Sequence, residues 1–227
     1  MLFFFSVLFV SVVFSQDKKP ENFSPGDYFM AQSSFSLPKG TGRYANSWIL
    51  YNDFHYAITD HISAGAGIIP LFFFGGMPSP VWLKVKGAFK LSEFVRMSAG
   101  MNFFTVLGEK VDVSQVHLFG GVFGVTLGSA GHNLSFNYYH LFRFDVSESV
   151  WFYNLSTRLG LTERTFFMAE LTAFSPDSGM GEGLIIFGAE TLFNKISLVY
   201  GLGYPLKQVS DKKIYIPYLG VKLPFKF

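Results

Sequence analysis

The sequence predicts an all-β fold: a transmembrane, antiparallel, up-and-down β-barrel of about twelve strands, with ten or fourteen as the neighbouring possibilities. Three observations point there. Hydrophobic residues make up 49% of the 227 residues and aromatics 19%, but charged residues only 15%, where a soluble domain carries about a quarter. Apolar and polar residues alternate with a period of two through most of the chain, the pattern that puts them on opposite faces of a strand. Turn signals separate segments of about ten residues, the length a tilted strand needs to cross a bilayer.

The elements follow in order. Residues 1–15, MLFFFSVLFVSVVFS, hold no charged side chain and give way abruptly to Gln16, Asp17, Lys18, Lys19 and Pro20. An apolar run ending at a small residue has the shape of a cleaved export signal, with cleavage after Ser15, although no Lys or Arg precedes the run. It is shorter than the ~20 residues of a spanning helix. Residues 16–27 are expected to form a periplasmic N-terminal segment or to fold back as a plug, and 28–227 to form the barrel.

Two long uncharged stretches, His61 to Leu83 and Val113 to Phe142, invite a helical reading, but Gly and Pro punctuate the first and five Gly the second, which breaks helices. Period two is clearer. Val81, Leu83, Val85, Phe89 and Leu91 alternate with Trp82, Lys84, Lys86 and Lys90. Leu134, Phe136, Tyr138, Phe142 and Phe144 alternate with Asn133, Ser135, Asn137, Arg143 and Asp145. Tyr215, Leu219, Val221, Leu223, Phe225 and Phe227 share a face opposite Tyr218, Gly220, Lys222 and Lys226. Read this way, strands fall near 28–37, 43–58, 62–72, 81–91, 94–106, 114–127, 132–145, 150–161, 165–175, 183–192, 196–204 and 213–226.

Their connections alternate in length. Thr59–His61, Ser92–Glu93, Ser129–Gly131, Thr162–Arg164 and Asn194–Lys195 read as tight turns, whereas 38–42, 73–80, 107–113, 146–149, 176–182 and 205–212 are longer. Short turns on one side and longer loops on the other is the pattern of an outer-membrane barrel, and an even strand count puts both ends of the barrel on the short-turn, periplasmic side. Spanning sheets must close because the bilayer offers no water to an open edge.

The C-terminal KIYIPYLGVKLPFKF resembles the assembly signal of Gram-negative outer-membrane β-barrels, an alternating strand ending in Phe, carried here by Phe225 and Phe227. NSWILYNDFHYAITDHISAGAG and IPYLGVKLPFKF resemble a group of Bacteroidota barrels without an assigned activity. The resemblance implies location and fold: export, residence in the outer membrane, contact with outer-membrane lipid and lipopolysaccharide, and handling by the barrel-assembly machinery. Subunits of an envelope complex are further possible partners.

Sorting the polar face gives the candidate lumen residues Asp53, His55, Lys84, Lys86, Lys90, Arg96, Arg143, Asp145, Arg158, Glu170, Glu190 and Lys222. An Arg or Lys facing lipid at midplane costs roughly 2–4 kcal/mol, which favours placing them inside. Lys84, Lys86, Lys90 and Arg96 form a basic stripe on one wall, and such stripes select anions. The leading expectation is therefore a narrow passive channel for small, anionic solutes. A lumen filled by paired charges would instead make a non-conducting structural or accessory barrel.

A lipid-modifying enzyme is the third class. His61-Ile62-Ser63 has the spacing of a His and Ser sharing a strand face, and His140 falls on the lipid face, but no acid orients either histidine. No catalytic set, metal-ligand spacing, cofactor motif or cysteine is present, and 18 basic against 16 acidic residues is no balance for binding nucleic acid.

Overall fold

The structure, a computed structural model, describes residues 27–71, 74, 77–108, 117–143, 149–175, 182–194, 196–206 and 214–226. The expected export signal, nearly all of the 16–27 segment, Asp145 and Phe227 lie outside these residues. Twelve antiparallel strands close on themselves, each hydrogen-bonded to the next and the last to the first. They are β1 Thr41–Ser47, β2 Tyr51–Ala57, β3 Ile62–Ile68, β4 Ser79–Lys90, β5 Val95–Leu107, β6 Leu118–Gly128, β7 His132–Arg143, β8 Ser149–Gly160, β9 Thr165–Phe174, β10 Gly183–Leu192, β11 Ser197–Pro205 and β12 Ile216–Lys226.

The expected count of twelve is reached by a different division of the chain. Residues 28–37, expected as the first strand, are not in the wall; they lie inside the barrel. The expected strand 43–58 is two strands, β1 and β2, folded at 48–50. That turn lacks Gly, Pro and Asp, and Trp48 and Ile49 adopt φ of 51° and 68°. Such angles are strained for any side chain and most of all for a β-branched one. Neighbours hold it: Asn46 Nδ2 donates to Ile49 O at 2.9 Å, and Trp48 Nε1 donates to Pro217 O at 2.6 Å while its ring packs edge-on against Tyr218 at 4.8 Å. Residues 38–42, expected among the longer loops, sit instead beside the short turn after β2, where Lys39 N donates to Asp60 Oδ1 at 2.8 Å.

Alternation then fixes what faces where. In β4, Leu83, Val85 and Phe89 point outward and are more than half exposed, while Trp82 and Lys86 point inward and are buried. Leu134, Phe136, Leu155 and Leu219 continue the outer apolar surface around the wall. Most of the fully buried residues are polar: Ser33, Thr126, Ser135, Asn154, Ser156, Arg158 and Glu190 have almost no exposed surface. Apolar side chains outside and a polar interior suit a barrel whose outer solvent is hydrocarbon. The five expected tight turns fall between β2 and β3, β4 and β5, β6 and β7, β8 and β9, and β10 and β11. The start of β1 and the end of β12 pair at the same end, Thr41 opposite Lys226. Phe225 is on the outer face, stacked on Phe54 with ring centres 5.0 Å apart.

Candidate functional site: the lumen and its inserted segment

Residues 27–37 enter the lumen from the short-turn end and turn back there: Tyr28 N donates to Ala31 O at 3.1 Å, and Asp27 pairs with Gln32. The segment alternates like a strand, which is why it reads as one. Its backbone groups, however, have no neighbouring strand, and buried backbone polar groups need partners. Side chains of the wall supply them. Glu170 Oε2 on β9 accepts from three consecutive amides, Phe29, Met30 and Ala31, at 3.1, 3.0 and 3.1 Å, a small anion-binding nest built around a carboxylate of the same chain. Lys86 Nζ on β4 donates to Ser33 O and Phe35 O at 3.1 and 3.3 Å. Lys222 Nζ on β12 donates to Asp27 O and Tyr28 O, both at 3.3 Å. Asn137 Nδ2 reaches Gln32 O at 3.0 Å, and Ser34 N donates to Thr126 Oγ1 at 2.7 Å. The Tyr28 hydroxyl bonds to Asn133 and Ser135, each at 2.5 Å. Phe29, Ala31, Ile186, Val199 and Tyr218 make an apolar cluster around the tip.

The charges form two clusters, each around one carboxylate. On β2, Asp53 accepts from Lys84 Nζ at 2.8 and 2.7 Å and from Trp82 Nε1 at 3.0 Å, with Arg43 at 3.9 Å. Lys84 and Trp82 stand on β4, so they must cross β3 to reach it. They can because their β3 partners on the inner face are Gly65 and Gly67. A Cβ on Gly67 would lie 2.2 Å from the Trp82 ring, and one on Gly65 would lie 2.6 Å from Lys84 Cε. Arg43 also pairs with Asp27 of the inserted segment. On β10, Glu190 pairs with Arg158, accepts from Ser197 Oγ at 2.5 Å and lies 3.1 Å from Lys222. The Arg158 guanidinium also sits 3.9 Å over the Phe166 ring.

Of the sequence-selected residues, the structure brings Asp53 and Lys84 together, and Arg158, Glu190 and Lys222 together. It sets Glu170 and Lys86 against the inserted segment. His55 is buried and bonds through Nε2 to Ser63 Oγ at 2.8 Å. Lys90 does not reach the lumen; it lies at the short-turn rim with about half its side chain exposed, paired with Glu93. Arg96 is also near that rim, 4.2 Å over the Phe35 ring and bonded to Gly128 O at 3.1 Å. Arg143 is half-buried at the opposite end, on the last residue of β7. The expected continuous basic stripe is thus divided: Lys84 is taken by Asp53, Lys86 by the carbonyls of the inserted segment, and the other two belong to the rim. Sequence reasoning missed Arg43, although it shares the odd numbering of Asp53 and His55. It missed Asp27 because that residue falls outside any strand.

The His61 and Ser63 spacing does not bring those side chains together. Ser63 faces inward to His55, while the His61 ring stacks on Phe89 at 6.0 Å, with Nδ1 3.3 Å from Ala88 O. His140 packs on the outer face between Tyr138 and Phe142, at 6.3 and 4.3 Å.

Above the tip of the inserted segment, toward the longer loops, lies a cavity of about 400 Å³ floored by Met30, Ala31 and Gln32. Tyr51 and Trp82, stacked at 4.7 Å, line one side. Tyr139 and Phe152, stacked at 4.4 Å and nearly parallel at 8°, line another.

No protein family matches the sequence, and no curated protein does. Among solved structures, the chain is similar to the KdgM porin (TM-score 0.55, 10% identity, covering 82% of this chain and 99% of that one). It is equally similar to the KdgM porin in complex with disordered oligogalacturonate (TM-score 0.55, 9% identity, 82% and 98%). The NanC porin is a third (TM-score 0.51, 11% identity, 82% and 98%). At these identities the likeness is one of fold.

Proposed function

We propose that this barrel resides in the outer membrane as a narrow passive channel for small solutes, with residues 27–37 restricting its lumen. The observation that carries the proposal is the closed barrel with apolar residues outside and, inside, a cavity stopped at one end by a segment of the same chain. A wall built only for support could pack its lumen throughout. The porin-like fold and the export-signal pattern of residues 1–15 support the location.

Any anion preference comes from a small surplus of charge. Among the described residues, Arg43, Lys84, Lys86, Arg158 and Lys222 face Asp27, Asp53, Glu170 and Glu190 in the interior, and Arg164 is buried at the short turn before β9, so cations outnumber carboxylates slightly. Fixed positive charge at a constriction favours anions, and so small a surplus makes the bias mild. The second reading, a non-conducting accessory barrel, is favoured by the density of bonds that hold the inserted segment.

Planar-bilayer conductance of the refolded, signal-free protein under a salt gradient separates the two. Discrete openings with a modest anion bias, lowered by Lys86→Glu, support the channel. A folded but silent barrel, silent also when residues 27–37 are deleted, overturns it.

A further inference from the structure

Resting on the channel reading, and naming its solute, we infer that the 400 Å³ cavity is a binding site for a small, uncharged aromatic molecule bearing one hydrogen-bonding substituent, such as a phenol. The volume falls within the range of small-ligand pockets, roughly 300–1,000 Å³, and it lies between the floor at Met30 and the long-loop end. Its two walls are stacked aromatic pairs, Tyr51 with Trp82 and Tyr139 with Phe152. Rings offer edge and face contacts that flat solutes use better than chains do.

The polar lining decides the charge of the solute. Among the described residues, the ionised groups that touch the cavity are Lys84, held by Asp53, Lys86, held by two carbonyls, and Glu170, whose Oε2 takes three amides while its buried Oε1 has no hydrogen-bond partner. An anionic solute entering there would lose water and find both lysines already bonded, and a cationic one would meet Lys84 and Lys86 on the same wall. Beside Glu170 Oε1, which can accept from a neutral hydroxyl, the groups that remain are neutral. Among the described residues, the hydroxyls of Tyr51 and Tyr139 and the carboxamide of Asn102 line the cavity and take no hydrogen bond. A ring seated against the aromatic walls can bring one donor-acceptor substituent to them, which is the usual balance of an apolar pocket with a few convergent polar groups.

The test uses the refolded barrel in detergent micelles, titrated calorimetrically with 4-methylphenol and, separately, with 4-methylbenzoate, against protein-free micelles. Saturable one-to-one binding of the phenol, tighter than the benzoate, is expected. Tyr51→Phe with Tyr139→Phe keeps both rings and should weaken it about five- to tenfold, the equivalent of one neutral hydrogen bond. Leu184→Trp, which places a ring in the cavity from β10, should abolish it; heat-modifiable gel mobility confirms that each variant is folded. Partition no different from empty micelles, tighter binding of the benzoate, or no change in the double Tyr→Phe variant overturns the inference. Saturable phenol binding by a barrel that stays silent in the bilayer keeps the site and removes the channel. Conductance without saturable binding does the reverse.

Discussion

Glu170 is the residue on which the position of the inserted segment depends most directly. One of its oxygens receives the amides of Phe29, Met30 and Ala31 at 3.0 to 3.1 Å, all at the tip of the turn. A hydrogen bond to a charged acceptor contributes ~1.5–3 kcal/mol, against ~0.5–1.5 for a neutral one. Glu170→Gln keeps an acceptor oxygen but loses the charge, so the three bonds together should weaken by roughly 1.5–3 kcal/mol, given that neighbouring bonds do not add fully. With ~1.4 kcal/mol per factor of ten, the ratio of open to closed barrels should rise roughly ten- to a hundredfold. Glu170→Ala strands three buried donors and should cost about 3–5 kcal/mol, by analogy with breaking a buried charged pair. The readout is open probability in planar bilayers, beside a protease nick within residues 27–37, which should appear in step with the openings. Equal open probability and equal protection for wild type, Gln and Ala, in barrels that migrate as folded, would refute the reasoning: the segment would then be seated by its apolar cluster and not by this carboxylate.

Four further outcomes are expected. Gly67→Val, whose Cβ would lie 2.2 Å from the Trp82 ring, should lower stability by about 1–3 kcal/mol through overpacking, read from urea unfolding in lipid vesicles. Glu190→Ala leaves Arg158 and Lys222 buried without their carboxylate and should cost about 3–5 kcal/mol in the same titration. In cysteine variants across β4, an aqueous thiol reagent should label Lys84→Cys, on the cavity, and spare Leu83→Cys and Val85→Cys in a bilayer; uniform labelling would overturn the strand register. Glu93 is held below the ordinary carboxylate range, first by the hydrogen bond from Lys90 and then by its charge. Its contribution to stability is complete above the unfolded pKa and fades as pH falls through the lowered folded value. Because the group is fully exposed, Glu93→Gln should leave the neutral-pH urea midpoint unchanged in physiological salt.

How much of this was legible in the sequence depends on which physical signal each element carries. Strands β4 to β12 announce themselves because apolar side chains outside and packed polar groups inside make a clean alternation, as in Leu83, Lys84, Val85 and Lys86. The β1–β2 hairpin is hidden because its turn, Trp48-Ile49-Leu50, has none of the usual turn residues; its strain is borne by Asn46 and by the contacts of Trp48 with β12, all of them tertiary. The inserted segment misleads in the opposite sense. Phe29, Ala31, Phe35 and Leu37 alternate as in a strand, yet what marks 27–37 as an insert is the set of side chains that meet its backbone, from Glu170, Lys86 and Lys222, far away in the chain. The charge clusters were half legible. Facing could be read from parity, but the crossing from β4 to Asp53 depends on Gly65 and Gly67 lying beside Lys84 and Trp82, a matter of register. The cavity left no periodic trace at all.

The bonds from Lys222 to the carbonyls of Asp27 and Tyr28 also bear on the order of events during biogenesis. Residues 27–37 leave the ribosome before the twelve strands of the wall, yet part of their seat is on β12, the last of the twelve. Until β12 arrives, the segment lacks the Tyr218 hydroxyl and the Lys222 ammonium, and closure of the wall between β1 and β12 coincides with completion of its seat. Contacts of such long sequence separation form late and slowly. Until then the chain carries a segment whose backbone groups are unmet, and β12 both seals the cylinder and docks a segment synthesised before all twelve strands.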